Sequence, residues 1–326
     1  MTLARRRFLQ LAAGSAVVPA LSHRAVAQAY PSRAVRMLVP YSPAGPTDVF
    51  ARLMAQKLSE QLGQQFFVEN APGAGGNIGM GRAAKAAPDG YTIAVVGAPF
   101  VINPSLYEQV PYDPVRDYDP VTLAVSTTNV LAVHPSLPAQ TVKELVELIR
   151  ANPGKYSYAS PSTGTPAHLV GELFRLSLKL DVVHVPYSGG GAAVAATLAG
   201  HTPISWGTPP PAIPLIKDGK LRALAVSSRA RAQALPQVPT MAEAGYPEVE
   251  GDAWFAVLVP AGTPKEIVAL LHREIIRAVG LPDIKERLAV LGFEPVANSP
   301  EEFARQIKAE IEKWGKVIRA ANIRAQ

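Results

Sequence analysis

Apolar runs and amphipathic segments alternate along the chain, with loops rich in glycine and proline between them. Residues 35–39 form a short apolar run typical of a buried strand, and the segment up to Leu62 repeats apolar residues at helical spacing. The same order of strand, loop and helix recurs further along the chain. This alternation predicts an α/β fold, in which ligands bind beyond the carboxyl ends of the strands.

The loop after the first strand, residues 41–48, is built mainly from small residues and proline. Thr47 is predicted to cap the helix that follows, and Asp48 lies at its start. A helix start offers N–H groups without intrahelical partners and the positive end of the helix dipole, which together suit an anion. We expect Asp48 to orient the loop rather than to meet an anionic ligand, because like charges repel.

A second loop of this kind occupies residues 160–166, between a predicted strand and a helix predicted over residues 167–178. It adds hydroxyl groups, which together with backbone N–H groups can hold a carboxylate. His168 lies in the first turn of the predicted helix. The pattern fits a ligand-binding loop, and it also fits an ordinary capped loop with a local hydrogen-bonding role for His168.

The apolar run over residues 121–133 predicts one or two strands that carry the chain into a second lobe, and the run over 253–259 predicts its return. Capping boxes are predicted at residues 141–144 and 263–266, a further helix start at residues 299–302, and a turn at residues 103–107.

A run of glycines between Gly73 and Gly81 invites comparison with a dinucleotide-binding loop. The spacing fails, because the third glycine of G-x-G-x-x-G falls on Ile78. The run instead indicates close approach of two backbone segments.

The first 27 residues have the form of a cleaved export signal. Residues 5–9 read RRRFL, which resembles the twin-arginine pattern, and Ala25-Val26-Ala27 is a cleavage site of the A-x-A type. Ordinary Sec export stays open, because the flanking residues depart from the twin-arginine pattern. A membrane anchor is disfavoured, because the apolar run is short and is interrupted by Gly14, Ser15 and Pro19. We therefore expect a periplasmic protein cleaved near Ala27.

The charge of the mature chain is close to balanced. The signal contains four of the 32 basic residues and none of the 26 acids, so the rest carries 28 bases and a net charge of +2. No clustered basic face of the kind that binds nucleic acid is visible. The absence of cysteine excludes disulfides, thiolate metal sites and cysteine nucleophiles.

The sequence carries no recognisable catalytic or metal-binding pattern. No G-x-S-x-G elbow surrounds any serine, and the histidines show neither H-x-x-x-H nor H-E spacing. These observations predict a protein that is not an enzyme and that needs no cofactor or metal.

Ordered motifs over residues 30–326 resemble one family, the solute-binding proteins of tripartite tricarboxylate transporters, also called Bug-type periplasmic binding proteins. Each motif is weak alone, but their order after an export signal is specific. They are PYSPAGPTD at residues 40–48, EN at 69–70 with GAGG at 73–76, APDGYT at 87–92, NPSLY at 103–107, GTPAHL at 164–169, HVPY at 184–187, KDGKLRALA at 217–225, VPT at 238–240 and PAGTP at 260–264.

The resemblance implies a type II periplasmic-binding fold, with two α/β lobes joined by crossing strands and a small carboxylate bound between them. Lobe 1 is expected over residues 28–130 and 253–326, and lobe 2 over 131–252. The protein is expected to be a monomer that meets membrane transporter subunits transiently. The ligand-binding residues that it implies are Tyr41, Ser42, Ala44, Gly45, Thr47, Asp48, Ala98, Ser162, Thr163, Gly164, Thr165, His168, Tyr187 and Thr208.

The chain also departs from the family pattern. Ala44 stands where a glycine is usual, and Pro46 stiffens the same loop. Thr208 follows Trp206 in a region where many members have an aspartate. Together with Phe100 and Tyr187, Trp206 suggests a flat or aromatic carboxylate.

Two other functions stay open at this stage. A closed, ligand-bound form could signal to a membrane kinase of a two-component system. An exported hydrolase of small esters is the less favoured alternative, because no nucleophile motif is present.

Overall fold

The structure, a computed structural model, describes residues 30–325. The predicted export signal, residues 1–27, lies outside the described residues. From Arg33 onward the chain folds as one unit. Its strands, in chain order, are β1 (Val35–Val39), β2 (Phe66–Asn70), β3 (Thr92–Gly97), β4 (Tyr118–Thr127), β5 (Val130–Val133), β6 (Tyr156–Ser160), β7 (Val182–Pro186), β8 (Ile204–Gly207), β9 (Arg222–Val226), β10 (Ala253–Pro260) and β11 (Glu294–Pro295).

Helices follow most of the strands, as the alternating pattern predicts. A short 3₁₀ helix at Ala74–Gly76 precedes the second α-helix. The α-helices are α1 (Pro46–Leu62), α2 (Asn77–Ala84), α3 (Pro99–Leu106), α4 (Val142–Ala151), α5 (Pro166–Ser177), α6 (Gly190–Leu198), α7 (Ile213–Lys217), α8 (Lys265–Gly280), α9 (Pro282–Val290) and α10 (Pro300–Ala320).

The described strands form two mixed sheets. The first has the order β11-β4-β10-β3-β1-β2, with β1 parallel to β2 and β3, and with β10 antiparallel to β3 and β4. The second has the order β7-β6-β8-β5-β9, with β5 antiparallel to both of its neighbours. The sheets and their helices give the two-lobe α/β fold that the sequence predicts.

The chain passes between the sheets twice. β4 belongs to the first sheet and β5 to the second, with only Thr128 and Asn129 between them. The return runs from β9 in the second sheet to β10 in the first. Both crossings coincide with the apolar runs that predict them, and they bring the two sheets together at one place in the fold.

A single hydrophobic cluster contains residues of both sheets, such as Leu38 and Leu131. The long C-terminal helix α10 joins the two halves, because it packs against α3 and β4 on one side and α5 on the other. None of the helices described is both long and apolar enough to cross a membrane.

Local predictions met different outcomes. The helix start predicted at Ser299 is confirmed, and the structure shows a capping box there, with both reciprocal hydrogen bonds to Glu302. At Thr141 the hydroxyl accepts from the Glu144 N–H as predicted, but the Glu144 carboxylate accepts from the N–H of Gln140 and not of Thr141. The box predicted at Thr263 is wrong: α8 has Pro264 as its N-cap, and the Thr263 hydroxyl donates to the carbonyl of Pro260. The turn predicted at residues 103–107 is also wrong, because the buried run before it continues as α3 and includes Pro104.

Candidate functional site

A cleft of about 670 Å³ lies where helices of both sheets begin. Its wall combines helix starts, the crossing strands and apolar side chains. The lining residues are Tyr41, Ala44, Gly45, Pro46, Thr47, Val49, Gly97, Ala98, Pro99, Thr127, Asn129, Pro161, Thr165, Pro166, Ala167, Gly190, Gly191, Thr208, Pro210, Pro211, Ala253, Trp254, Phe255, Val290, Leu291 and Phe293.

Helix α1 opens onto the cleft through Gly45, which is its N-cap, and Pro46, its first residue. Thr47 was expected to cap this helix, but it lies one position inside it, because proline fits the first helical position and fixes the start there. No side chain caps the helix. The N–H groups of its first turn therefore have no intrahelical partner. They make this end of the cleft suitable for binding an anion.

Asp48 holds the first loop in place from behind the cleft wall. Its buried carboxylate accepts hydrogen bonds from the Ala44 N–H at 2.9 Å, from Arg52 Nε at 2.9 Å and from Asn70 Nδ2 at 2.9 Å. Burial acts to raise the pKa of Asp48, but the bonds from Arg52, Asn70 and Ala44 outweigh it and hold the pKa below its usual range. The bond to Ala44 fixes that residue at a φ of 63°, which is costly for any residue with a Cβ.

Tyr41 forms the wall beside this loop. Its hydroxyl accepts a hydrogen bond from the Gly97 N–H at 3.4 Å, and burial raises the pKa of the phenol. The ring lies against Gly76, where a Cβ would stand 2.7 Å from it and where φ is +99°. Position 76 therefore requires glycine, because any side chain there would clash with the ring of Tyr41.

Helix α3 contributes a second start from the first sheet. Ala98 is its N-cap and Pro99 its first residue, and no side chain caps it. Both residues line the cleft directly after the end of β3.

Helix α5 supplies a start from the second sheet, and here the cap is a side chain. The Thr165 hydroxyl accepts from the His168 N–H at 3.4 Å and donates to the Ser162 carbonyl at 2.8 Å. The proton of the Thr165 hydroxyl therefore forms a hydrogen bond within the loop. Ser162 and Thr163 are exposed and lie outside the cleft lining, whereas Thr165 lies within it.

Helix α6 provides a second start on this side. Its N-cap is Gly189, no side chain caps it, and its first residues Gly190 and Gly191 line the cleft. Sequence reasoning placed Tyr187 at this site. The structure places Tyr187 outside the lining, with its hydroxyl 3.3 Å from that of Thr202.

A histidine pair lies beneath the loop before α5. His168 Nδ1 accepts from the Gly164 N–H at 2.9 Å, and His184 Nε2 lies 2.7 Å from the Ser160 hydroxyl. Burial lowers the pKa of His168 to about 4. Burial and the neighbouring His168 lower the pKa of His184 to about 4 as well. Both rings are therefore neutral near pH 7.

The structure divides the sequence-predicted site residues into two groups. Those that line the cleft are Tyr41, Ala44, Gly45, Thr47, Ala98, Thr165 and Thr208. Those outside its lining are Ser42, Asp48, Ser162, Thr163, Gly164, His168 and Tyr187. Among the second group, Asp48, Gly164 and His168 contact the loops that do line it.

The aromatic residues chosen from the sequence are not at the cleft. Phe100 is fully buried against Tyr112 and Tyr118, and Trp206 is buried against Phe174. They lie in the core because a helix and a strand turn these side chains away from the adjoining loops.

The cleft takes its aromatic wall from the return strand and the loop before β11. These side chains are Trp254, Phe255 and Phe293, and the last two rings lie 4.9 Å apart. The apolar run of β10 predicts only a buried strand, so no local pattern indicates this role.

Within residues 30–325, no aspartate, glutamate, lysine, arginine or histidine lines the cleft. Among the residues that the structure describes, no group of three or more potential ligands could hold a metal ion. The polarity of the cleft therefore comes from backbone groups and neutral side chains. Four helix starts facing one cavity give it a positive field suited to a carboxylate.

The comparisons with known proteins agree with this geometry. Residues 50–323 match the model of the tripartite tricarboxylate transporter family receptor. The chain belongs to this family. One curated relative is the protein BugT of Bordetella pertussis, 39% identical over 295 residues that cover 90% of each chain.

Solved structures of similar proteins share the fold of this receptor. One described as a periplasmic transporter is 42% identical, covers 91% of this chain and 99% of that one, and has a TM-score of 0.76. R. palustris Rpa4515, solved with adipate, is 35% identical, covers 90% and 99%, and has a TM-score of 0.76. The family and the fold are those of periplasmic binding proteins.

Proposed function

We propose that this receptor captures a small organic carboxylate in its cleft and delivers it to a membrane transporter of the tripartite tricarboxylate type. The observation that carries the proposal is the convergence of four helix starts on a cleft without charged side chains. Such starts stabilise an anion through N–H groups and helix dipoles. The adipate bound by the similar Rpa4515 supports a carboxylate ligand.

The lobes proposed for this function comprise residues 28–130 with 253–326, and residues 131–252. The crossings between them are joined by hydrogen bonds: Asn129 Nδ2 donates to the Gly251 carbonyl at 3.0 Å, and the Asn129 N–H donates to the Ser227 hydroxyl at 3.0 Å. Closure about these crossings would trap the ligand, which favours the closed state through the contacts it gains there.

The proposed route to the periplasm is export by the signal over residues 1–27, with cleavage near Ala27. The mature protein would act as a monomer, without catalysis, and would meet the transporter subunits transiently. The proposed ligand contacts on closure also include Ser42, Ser162 and Thr163, whose loops the ligand would order. Tyr187 and Gly164 would contribute from positions that adjoin those loops.

A thermal-shift screen of the mature chain, residues 28–326, tests the proposal. A ligand that binds only the folded state raises Tm by mass action. We expect a rise with at least one mono- or dicarboxylate and none with the corresponding amide. If carboxylates and amides act alike, the proposed anion site is wrong.

A matched pair of variants locates the anion site. A Cβ at Gly191 meets nothing within 4 Å, so Gly191→Asp fits at the start of α6 and complements the helix dipole. It should keep Tm and reduce carboxylate affinity more than tenfold, because it places a negative charge in the cleft. Gly191→Asn has nearly the same shape without the charge and should bind far better. Equal affinities of the two variants would place the carboxylate elsewhere.

A further inference from the structure

Two oxygens in the wall of the cleft have no hydrogen-bond partner. Thr127 Oγ1 and Asn129 Oδ1 are buried and unpartnered among the described residues, and both residues line the cleft. An unpaired buried polar atom carries a desolvation cost, so such atoms call for an explanation. The two residues are separated only by Thr128 and lie at the crossing from the first sheet to the second.

The hydrogen bonds of Asn129 fix what its oxygen can do. Its Nδ2 donates to the Gly251 carbonyl at 3.0 Å and to the Ser227 hydroxyl at 3.4 Å, so the amide cannot flip without losing both bonds. Oδ1 is therefore held as an acceptor. An acceptor attracts an O–H or N–H group and repels a second carboxylate, which carries no proton.

The charge of the cleft lining favours a hydroxyl donor over an ammonium donor. An ammonium group would enter a cleft that has no carboxylate in its lining and that faces the positive ends of helices. A hydroxyl group carries no such charge. The side chains of Trp254, Phe255 and Phe293 suit an apolar body between the carboxylate and the hydroxyl.

We infer that the ligand is a hydroxylated monocarboxylate with an apolar body. Its carboxylate faces the helix starts, and its hydroxyl donates to Asn129 Oδ1 or pairs with Thr127 Oγ1. The inference rests on the proposed function, because it assumes that a carboxylate occupies the cleft. Both oxygens are shielded from solvent in this structure, so the hydroxyl reaches them as their surroundings adjust to the ligand.

Pairs of acids that differ only in the hydroxyl provide the test. The probes are 4-hydroxybenzoate with benzoate, and 6-hydroxyhexanoate with hexanoate, measured by isothermal titration against the mature chain. Adipate is the dicarboxylate comparator, because it replaces the terminal CH₂OH of 6-hydroxyhexanoate with a second carboxylate. We expect the hydroxylated member of at least one pair to bind about tenfold more tightly than its partner, and more tightly than adipate.

The variant Thr127→Val keeps the shape of the side chain and removes its hydroxyl. It should reduce the preference for the hydroxylated acid over the unsubstituted acid by several-fold. Thr122→Val is the matched control on the same strand, where the hydroxyl donates to the Asn298 carbonyl at 2.8 Å, away from the cleft. This control should lower Tm without altering the preference, whereas Thr127→Val should not lower Tm.

Each outcome has a distinct meaning. If adipate or the unsubstituted acids bind as well as the hydroxylated ones, the inference is overturned and the proposed function stands. The same holds if Thr127→Val and wild type show equal preference. If none of these acids binds, the inference fails, and the proposed function fails as well only if no carboxylate raises Tm in the thermal-shift screen.

Discussion

The imidazole rings of His168 and His184 stack with their centroids 3.8 Å apart and their planes inclined by 22°. His168 belongs to α5 and His184 to β7, so the stack joins two elements beneath the loop that contains Gly164. The acceptor role of His168 Nδ1 toward the Gly164 N–H requires that this nitrogen carry no proton. The shape of the loop thus depends on a neutral histidine.

Removal of the His168 acceptor should weaken ligand binding. In His168→Leu the Gly164 N–H loses its partner, and the resulting loss of about 1 to 1.5 kcal/mol in loop order corresponds to about tenfold in affinity. His168→Asn places an oxygen close to the position of Nδ1 and should lose less. Isothermal titration with a carboxylate found in the screen checks this. Equal losses of affinity in the two variants would show that the hydrogen-bond acceptor at position 168 does not support binding.

The neutral state of the pair predicts its response to acid. The pKa values of His168 and His184 are lowered from 6.5 to about 4, mainly by burial. Between these pH values the unfolded chain binds protons that the folded chain does not, so the pair lowers stability as pH falls from 6.5 toward 4. Histidine NMR signals assigned with the His168→Asn and His184→Asn variants should stay in the neutral position at pH 5.5. Titration of both near 6.5 would contradict the prediction.

Asp252 has the opposite effect on the pH dependence of stability. Burial, together with Glu250, Glu310 and Glu294, raises its pKa from 3.8 to about 7, although Lys313 opposes the shift. The folded chain keeps this proton longer than the unfolded chain, so stability is lost as pH rises from 3.8 through 7.

Asp252→Asn removes this titration. We expect it to raise the free energy of unfolding at pH 8 by on the order of 1 to 2 kcal/mol and to leave it nearly unchanged at pH 4. Urea unfolding at the two pH values measures the difference. A variant that is destabilised equally at both would show that the carboxylate is needed where it lies.

Gly79 in α2 supports the first loop through close backbone packing. A Cβ at this position would lie 2.6 Å from the Ala71 carbonyl oxygen and 2.7 Å from Pro40 Cα, next to Tyr41. Gly79→Ala should cost about 1 to 3 kcal/mol of stability and reduce affinity by displacing Tyr41. Gly280→Ala is the control, because a Cβ there meets nothing within 4 Å and should be neutral or slightly stabilising. Equal Tm values for the two variants would argue against the close packing.

The sequence predicts the parts of the site that depend on local signals. Small residues and proline after a strand mark the helix starts at Gly45 and Thr165, because backbone geometry restricts which residues fit there. The two crossings are predictable from apolar runs, because strands buried on both faces are apolar throughout.

The rest of the site depends on which way side chains point in the folded chain. Phe100 and Phe255 both follow or form apolar segments, but only Phe255 faces the cleft. Thr127 and Asn129 become important only where the two crossings meet, and the hydrogen-bond partners of Asn129, Ser227 and Gly251, are about a hundred residues distant in the chain. Local pattern carries no information on such contacts.

The absence of charged side chains from the cleft lining bears on how receptors of this kind diversify. The helix starts in its lining present peptide N–H groups, and a peptide N–H survives every substitution except one to proline. Mutations can therefore exchange the wall residues freely while the hold on a carboxylate persists. A few changes at positions such as Thr127, Phe255 and Phe293 can therefore alter which carboxylate binds. No variant along such a series needs to lose carboxylate binding altogether.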